Sequence, residues 1–329
     1  MAQKPFNDTM SLSDWLVADH AALHSLDSIE ALIDWFAIER RLSVIYNSPD
    51  GRASAPLLTL FRALLLGHLH KIDSDGVLAK LLARDLLFRK FCRIDLSTTP
   101  PSHDSLSRFR RELAAHGLWE ELLEEINDQL KAQHIIIEEG QVSIIDATVV
   151  EAHQIQGDTK DAEADWSVKT GSRGKTEATY GYKIHSNCDE DGFIMKQTVT
   201  AGNEYDGNQR DALMTGDEVQ LYADSAYDSA EKREDLARRG VENRVQRKGC
   251  RHKKLTKEDR EWNAEVGVMR SVIEHQFAEY KERYSRLRRT RFMGLAMNEV
   301  HAGMAAIAHN LKKGARFLEK YGLPQEQCV

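Results

Sequence analysis

In the stretch Arg270-Ser-Val-Ile-Glu274-His-Gln-Phe-Ala-Glu-Tyr-Lys281, one carboxylate is flanked by two cations. Arg270 and Glu274 are four residues apart, and Lys281 follows two turns later. At about 3.6 residues per turn, a helix puts all three on one face. An acid between two cations on a rigid element suits a group that handles phosphate and a metal ion together. The same spacing also suits an ordinary solvated helix face, where such pairs contribute only about 0.2–0.5 kcal/mol each. Two acids upstream distinguish these readings. Asp146 lies inside Val-Ser-Ile-Ile-Asp-Ala-Thr-Val-Val, and Asp224 ends Val-Gln-Leu-Tyr-Ala-Asp. A carboxylate among Ile144, Ile145, Val149 and Val150 is costly to desolvate unless it meets a cation.

Asp, Asp and Glu in that order suggest metal-dependent phosphodiester chemistry. Mg²⁺ takes oxygen ligands and binds through a few carboxylates plus substrate phosphate. Two such ions about 3.5–4 Å apart can activate an attacking oxygen and stabilise the leaving one. No general-base histidine is required. His68 and His70, two apart on a helix, face different ways and make a poor metal pair. Asp228 could compete with Asp224 but reads as a turn or cap residue before Ser229.

The elements that must hold these acids follow from the periodicities. Residues 1–135 read as helical. Ser28 to Glu39 has apolar positions at helical spacing, and Pro56 opens a segment, Leu57 to Leu69, that is apolar nearly all round. Ser102 caps a further helix, and Gly117 ends it. The helix carrying Arg108 and Arg110 could be the reader of a helix-turn-helix or part of a plain bundle. From Gly140 the pattern turns to strand. Val142–Val150 reads as a strand covered on both faces. Tyr180–Cys188 and Phe193–Thr200 form a hairpin, and Val219–Ala223 and Val241–Gln246 are further strands. Ser229–Arg239, Arg260–Arg283 and Asn298–Leu318 are helices. The polar segments 154–178 and 247–259 read as mobile loops. The chain is thus α+β (α/β). A mixed-sheet ribonuclease H-like core over 136–320 follows an all-helical domain over 1–135, with a tail at 321–329.

Net charge is -7 over 329 residues, but unevenly spread. Residues 230–320 hold 23 Lys and Arg against 13 Asp and Glu, a net of +10; the remainder carries -17. That asymmetry points to a polyanionic partner. The densest basic run, Lys281 to Arg291, includes Arg288 and Arg289 and follows the Glu274 helix directly. It reads as a nucleic-acid contact or a solvated face. No apolar run reaches membrane-span length, and four scattered cysteines give neither a disulfide framework nor a zinc cage. A reducing cytoplasm, in association with the nucleoid, is the expected setting.

These residues resemble bacterial insertion-sequence transposases of the Asp-Asp-Glu class, in the group named after insertion sequences four and five. That group carries a signature of Tyr, two residues, Arg, three residues, Glu, six residues, Lys. Arg270, Glu274 and Lys281 fit it, while Gly267 stands at the Tyr position. Ala223-Asp224-Ser-Ala-Tyr227-Asp228 and Ile145-Asp146-Ala-Thr148 are similar to its first two acid motifs. Trp166 and Lys169, followed by Tyr180-Gly-Tyr-Lys183-Ile-His185, resemble the segment after the first acid. The likeness covers roughly residues 40–315.

The resemblance implies that Asp146, Asp224 and Glu274 bind two Mg²⁺ ions, with Mn²⁺ as a substitute. It implies cleavage at the ends of a mobile element and attack of the freed 3′-hydroxyl on target DNA. The partners would be double-stranded DNA, both terminal inverted repeats and target, with a homodimer on the DNA and no membrane. Arg270 and Lys281 would contact DNA or steady the helix, and Lys183 and Lys169 would approach phosphate. Trp166 would stack on an unpaired base or simply pack on its loop. The helical region would recognise element ends or mediate dimerisation. Two alternatives keep the same motifs: a non-catalytic DNA-binding regulator, and a nuclease without strand transfer.

Overall fold

The structure is a computed structural model that describes residues 12–18, 24–45, 54–136, 141–153, 160–170, 176–249, 254–284 and 287–322. The chain divides into two compact units. One comprises Met1–Ile136, Tyr284–Arg286 and Gly303–Val329; the other comprises Ile137–Arg283 and Leu287–Ala302.

The first unit is helical: α1 (Leu12–Leu16), α2 (His24–Leu32), α3 (Trp35–Leu42), α4 (Leu57–Leu69), α5 (Asp75–Arg84), α6 (Leu86–Phe91), α7 (His103–His116) and α8 (Leu118–Ala132). As its uniformly apolar sequence demands, α4 is buried from Leu57 to His68. Its one arginine, Arg62, lies 4.0 Å over the Trp35 ring and donates to Glu30 at 3.0 Å and the Phe91 carbonyl at 2.8 Å. The buried charge is thereby paired and stacked. Ser102 caps α7 by accepting from Ser105 N–H, and Gly117, at φ 63°, takes the left-handed conformation that ends it.

The last helix, α12 (Leu295–Tyr321), has its later residues in this unit. A Cβ at Gly303 would come within 2.5 Å of the Trp119 ring, and Asn310 donates to Asn127 at 2.8 Å. The expected boundary near 320 therefore shifts: the polypeptide from Gly303 packs with the helical unit. Ala305 to Ala308 and Leu311 are buried nearly all round the helix, which requires other elements to pack against it.

The second unit is built on a mixed sheet of β1 (Gln141–Glu151), β2 (Asp165–Thr170), β3 (Thr176–Cys188), β4 (Ile194–Ala201), β5 (Glu218–Ala223) and β6 (Glu242–Val245). β1 pairs antiparallel with β3 and parallel with β5, and β5 pairs parallel with β6. β3 is long enough to take β4 on its second half and β2 on its first. Setting β2 aside, the strands in chain order stand third, second, first, fourth, fifth across the sheet, with the first three antiparallel. That is the ribonuclease H-like arrangement. Ile145, Leu221, Ala223, Tyr227, Leu236 and Val245 form the core on one side of it, where α10 (Ala230–Arg239) contributes Leu236. The short α9 (Arg210–Leu213) leads into β5, and α11 (Lys257–Glu279) packs on β1 and β5.

Two expected loops differ. In 154–178, residues 154–159 and 171–175 lie outside the described residues, but between them β2 pairs with β3 from Asp165↔Gly181 to Thr170↔Thr176. The sequence hides the strand because its alternation is inverted: Trp166 and Val168 face solvent while Ser167 is buried. In 247–259, residues 250–253 lie outside the described residues. The following helix starts at Lys257 rather than Arg260, because Thr256 and Asp259 form a reciprocal capping box.

Candidate active site

Strand pairing brings the first two acids together. Ile145 and Ala223 are partners in the parallel β1–β5 ladder, so Asp146 and Asp224, one residue on in each chain, emerge side by side. Asp224 stands at the carboxyl end of its strand, where open α/β sheets bind ligands. It accepts from Ala226 N–H at 2.7 Å and so caps the turn Ser225–Tyr227. Asp228 instead pairs with Arg233, and Ser229 caps α10.

The third acid comes from α11. Arg270 reaches back across the sheet: Nη2 donates to Asp146 Oδ2 at 2.6 Å, and Nη1 donates to Gln246 Oε1 at 3.1 Å. The same Nη2 lies 3.9 Å from Glu274 Oε1. One guanidinium thus stands between the first and third acids. Glu274 is on the solvent side, its side chain 61% exposed, whereas the Arg270 side chain is 12% exposed.

Burial pushes the Asp146 carboxyl up. Arg270 and the Ala147 N–H at 2.8 Å oppose that rise, while the negative charge of Asp224 adds to it. Tyr227 is also pushed up, first by burial and then by Asp146, Asp206 and Asp224. Among the described residues its buried hydroxyl has no hydrogen-bond partner.

The donors are all oxygens, the ligands a hard divalent ion takes. A desolvated carboxylate beside a second acid and an orphaned hydroxyl fit such an ion chemically. As the side chains stand, the positive charge there is Arg270, and no three His, Cys, Asp or Glu side chains among the described residues are gathered into a metal-holding group.

Lys281 departs from the simple helix-face picture. α11 ends at Glu279, and Tyr280–Tyr284 forms a wider π turn. Burial lowers the Lys281 pKa, and the charges of Lys169 and Arg288 lower it further. These three cations form a separate basic cluster. Beyond it, Arg289 pairs with Glu151 at 2.6 Å where residues 288–290 run beside the end of β1. Arg288 is bonded to Glu282. Residues 285–286 of the basic run, and the Arg283 side chain, lie outside the described residues.

Two expected DNA contacts are engaged within the protein. Lys183 Nζ donates to Asp206 Oδ1 at 2.8 Å and the Glu204 carbonyl at 2.6 Å. Arg110 is 4% exposed and forks onto both oxygens of Asp75 at 2.8 Å. In both cases an internal acid outcompetes solvent for the cation, a partnership between distant residues that local spacing does not reveal. Arg108 on the same helix is exposed. Trp166 is 51% exposed and meets Tyr180 edge-on at 5.4 Å, so its ring packs on β3 yet remains open to solvent.

Sequence reasoning missed Gln246, 24 residues from the arginine it holds, which no local spacing signals; it quoted Tyr227 within the Asp224 motif without giving it a role in the site. It also missed a cavity of about 470 Å³ beyond the end of β6. Arg233, Arg247, Lys248, Lys254 and Trp262 line it together with Asp228 and Asp259. Arg247 lies 4.8 Å from the Trp262 ring centroid.

The profile described as Transposase DDE domain matches residues 137–311, and the Transposase domain (DUF772) matches residues 12–112. The transposase for insertion sequence element IS1106 of Neisseria meningitidis serogroup B is 30% identical over 230 residues, covering 64% of this chain and 78% of that protein. Among solved structures, the Mos1 Strand Transfer Complex aligns with 84% of this chain and 81% of that one at 12% identity, with a TM-score of 0.20. The chain belongs to the DDE-domain transposases of bacterial insertion sequences. It is accordingly an enzyme of metal-dependent DNA cleavage and strand transfer, with DNA as its partner. No helix among the described residues is long and apolar enough to cross a membrane.

Proposed function

We propose that Asp146, Asp224 and Glu274 are the acids of the reaction, that they hold two Mg²⁺ ions, and that Mn²⁺ substitutes. The observation that carries this is the register of β1 against β5, which sets Asp146 beside Asp224, with Arg270 joining Asp146 to the helix of Glu274. When bound, the ions supply Lewis acidity to the attacking and leaving oxygens of a phosphodiester. The chain's own residues do the rest. The sheet fixes two carboxylates, and α11 brings the third. The Tyr227 hydroxyl offers a hydrogen bond inside the site. Lys281, Lys169 and Arg288 meet the DNA backbone, as do Lys248 and Lys254 at the cavity mouth. Trp166 stacks on a base freed from its partner.

The reaction is end cleavage at the terminal inverted repeats of an insertion sequence, followed by attack of the liberated 3′-hydroxyl on target DNA. Two ends require two sites, so a homodimer assembles on the DNA. The helical unit reads the ends or joins the protomers, with exposed Arg108 rather than Arg110 facing DNA.

The test is cleavage and joining of a DNA carrying the element's ends. Asp146→Asn, Asp224→Asn and Glu274→Gln should each abolish Mg²⁺-dependent cleavage while gel-shift binding persists. Full cleavage by any one variant removes that acid from the set. Wild-type cleavage without joining would favour a nuclease, and binding without cleavage in Mg²⁺ or Mn²⁺ would favour a regulator.

A further inference from the structure

Arg270 is the cation of the acid site as it stands. Its Nη2 contacts Asp146 Oδ2 at 2.6 Å and lies 3.9 Å from Glu274 Oε1. A divalent ion taken up by these two acids would enter the space the guanidinium now spans. Two cations held about 4 Å apart in a partly desolvated site repel strongly, so both cannot remain there. The guanidinium has a second anchor away from the acids, Gln246 Oε1 at 3.1 Å, and Gln246 is itself held by donating to the Asn263 carbonyl at 3.2 Å. There is also room on that side. Gly267 lies one turn before Arg270 on the same face, and among the described residues a Cβ built there would meet Gln246 Nε2 at an ordinary 3.8 Å. A larger side chain at this position would occupy the space beside Gln246.

We propose that Arg270 is a placeholder for the metal: it neutralises part-buried Asp146 before an ion arrives and swings onto Gln246, beside Gly267, when the ion binds. The affinity for the ion is therefore set by the strength of the Arg270–Asp146 contact. The inference rests on the assignment of Asp146 and Glu274 as metal ligands.

The experiment titrates the full chain with Mn²⁺ in the absence of DNA, following free Mn²⁺ by electron paramagnetic resonance, with thermal unfolding measured in parallel. Arg270→Gln removes the competing charge and should bind Mn²⁺ about tenfold more tightly. It should melt below wild type in chelator, with the gap narrowing at saturating Mn²⁺. Arg270→Lys keeps the charge but cannot bridge Asp146 and Gln246 at once. It should bind with intermediate affinity, and it carries the test if the glutamine variant does not fold. Equal or weaker Mn²⁺ binding by the folded variants overturns the placeholder role while leaving the metal site intact. Mn²⁺ binding that survives Asp146→Asn in otherwise wild-type protein overturns the ligand assignment, and the inference with it.

Discussion

Lys183 Nζ lies 2.8 Å from Asp206 Oδ1, tying the middle of β3 to the turn Asp206–Gln209. The same turn region reaches the second acid: the Tyr205 hydroxyl donates to the Ala226 carbonyl at 2.6 Å, and Ala226 N–H donates to Asp224. Lys183 thus braces the ground on which Asp224 stands. Lys183→Met should lower stability by about 1–3 kcal/mol, the cost of leaving a part-buried acid without its partner. DNA affinity at fixed temperature should not change. Thermal unfolding and a gel shift, run on the same preparation, check both halves; a loss of DNA affinity without a change in melting would return Lys183 to the phosphate contacts.

His185 gives the fold a pH dependence. It is buried on β3, its Nε2 is 2.8 Å from Thr200 Oγ1, and burial holds its pKa at about 4, from an ordinary 6.5. The unfolded chain binds a proton on this residue between those values and the folded chain does not. Stability is therefore full above pH 6.5 and falls as pH drops from 6.5 toward 4, by on the order of 3 kcal/mol in all. Urea unfolding at pH 7, 6 and 5 should show the decline, and His185→Gln should flatten it. An unchanged slope in that variant would assign the decline to other groups.

The basic cluster should be visible in salt dependence. If Lys281, Lys169 and Arg288 each neutralise a phosphate, every alanine substitution lowers the slope of log affinity against log salt by roughly 1. Arg110→Met should leave that slope alone and destabilise the protein, because its partner Asp75 is internal. Fluorescence anisotropy at several salt concentrations separates the two behaviours.

Gly267 sits in the interior of α11, where glycine costs about 0.5–1 kcal/mol relative to alanine. The added Cβ would make only an ordinary 3.8 Å contact. Gly267→Ala should therefore raise stability by about that amount without loss of DNA cleavage, as measured by melting temperature and an end-cleavage assay. A lower melting temperature would mean that the helix is not regular there.

Asp146 was legible in the sequence because a lone carboxylate within an apolar β-branched run has few cheap explanations, and Glu274 because helical spacing pairs it with Arg270. Strand alternation and turn residues likewise delivered the core strands β1, β3, β4, β5 and β6. These are signals carried by neighbours in the chain, and the free energy behind them is local: burial of one face and satisfaction of the nearest backbone groups. β2 stayed hidden because its apolar residues, Trp166 and Val168, face solvent while Ser167 is buried, the reverse of the usual alternation. The partners of Lys183, Arg110 and Arg270 were equally hidden, since Asp206, Asp75 and Asp146 are 23, 35 and 124 residues from their cations. A charged side chain commits to a partner only where folding has removed water around both. By itself, the sequence determined which acids the chain carries and which elements bear them. Only the tertiary structure decided which cations face inward, and that Arg270 lies between two of those acids.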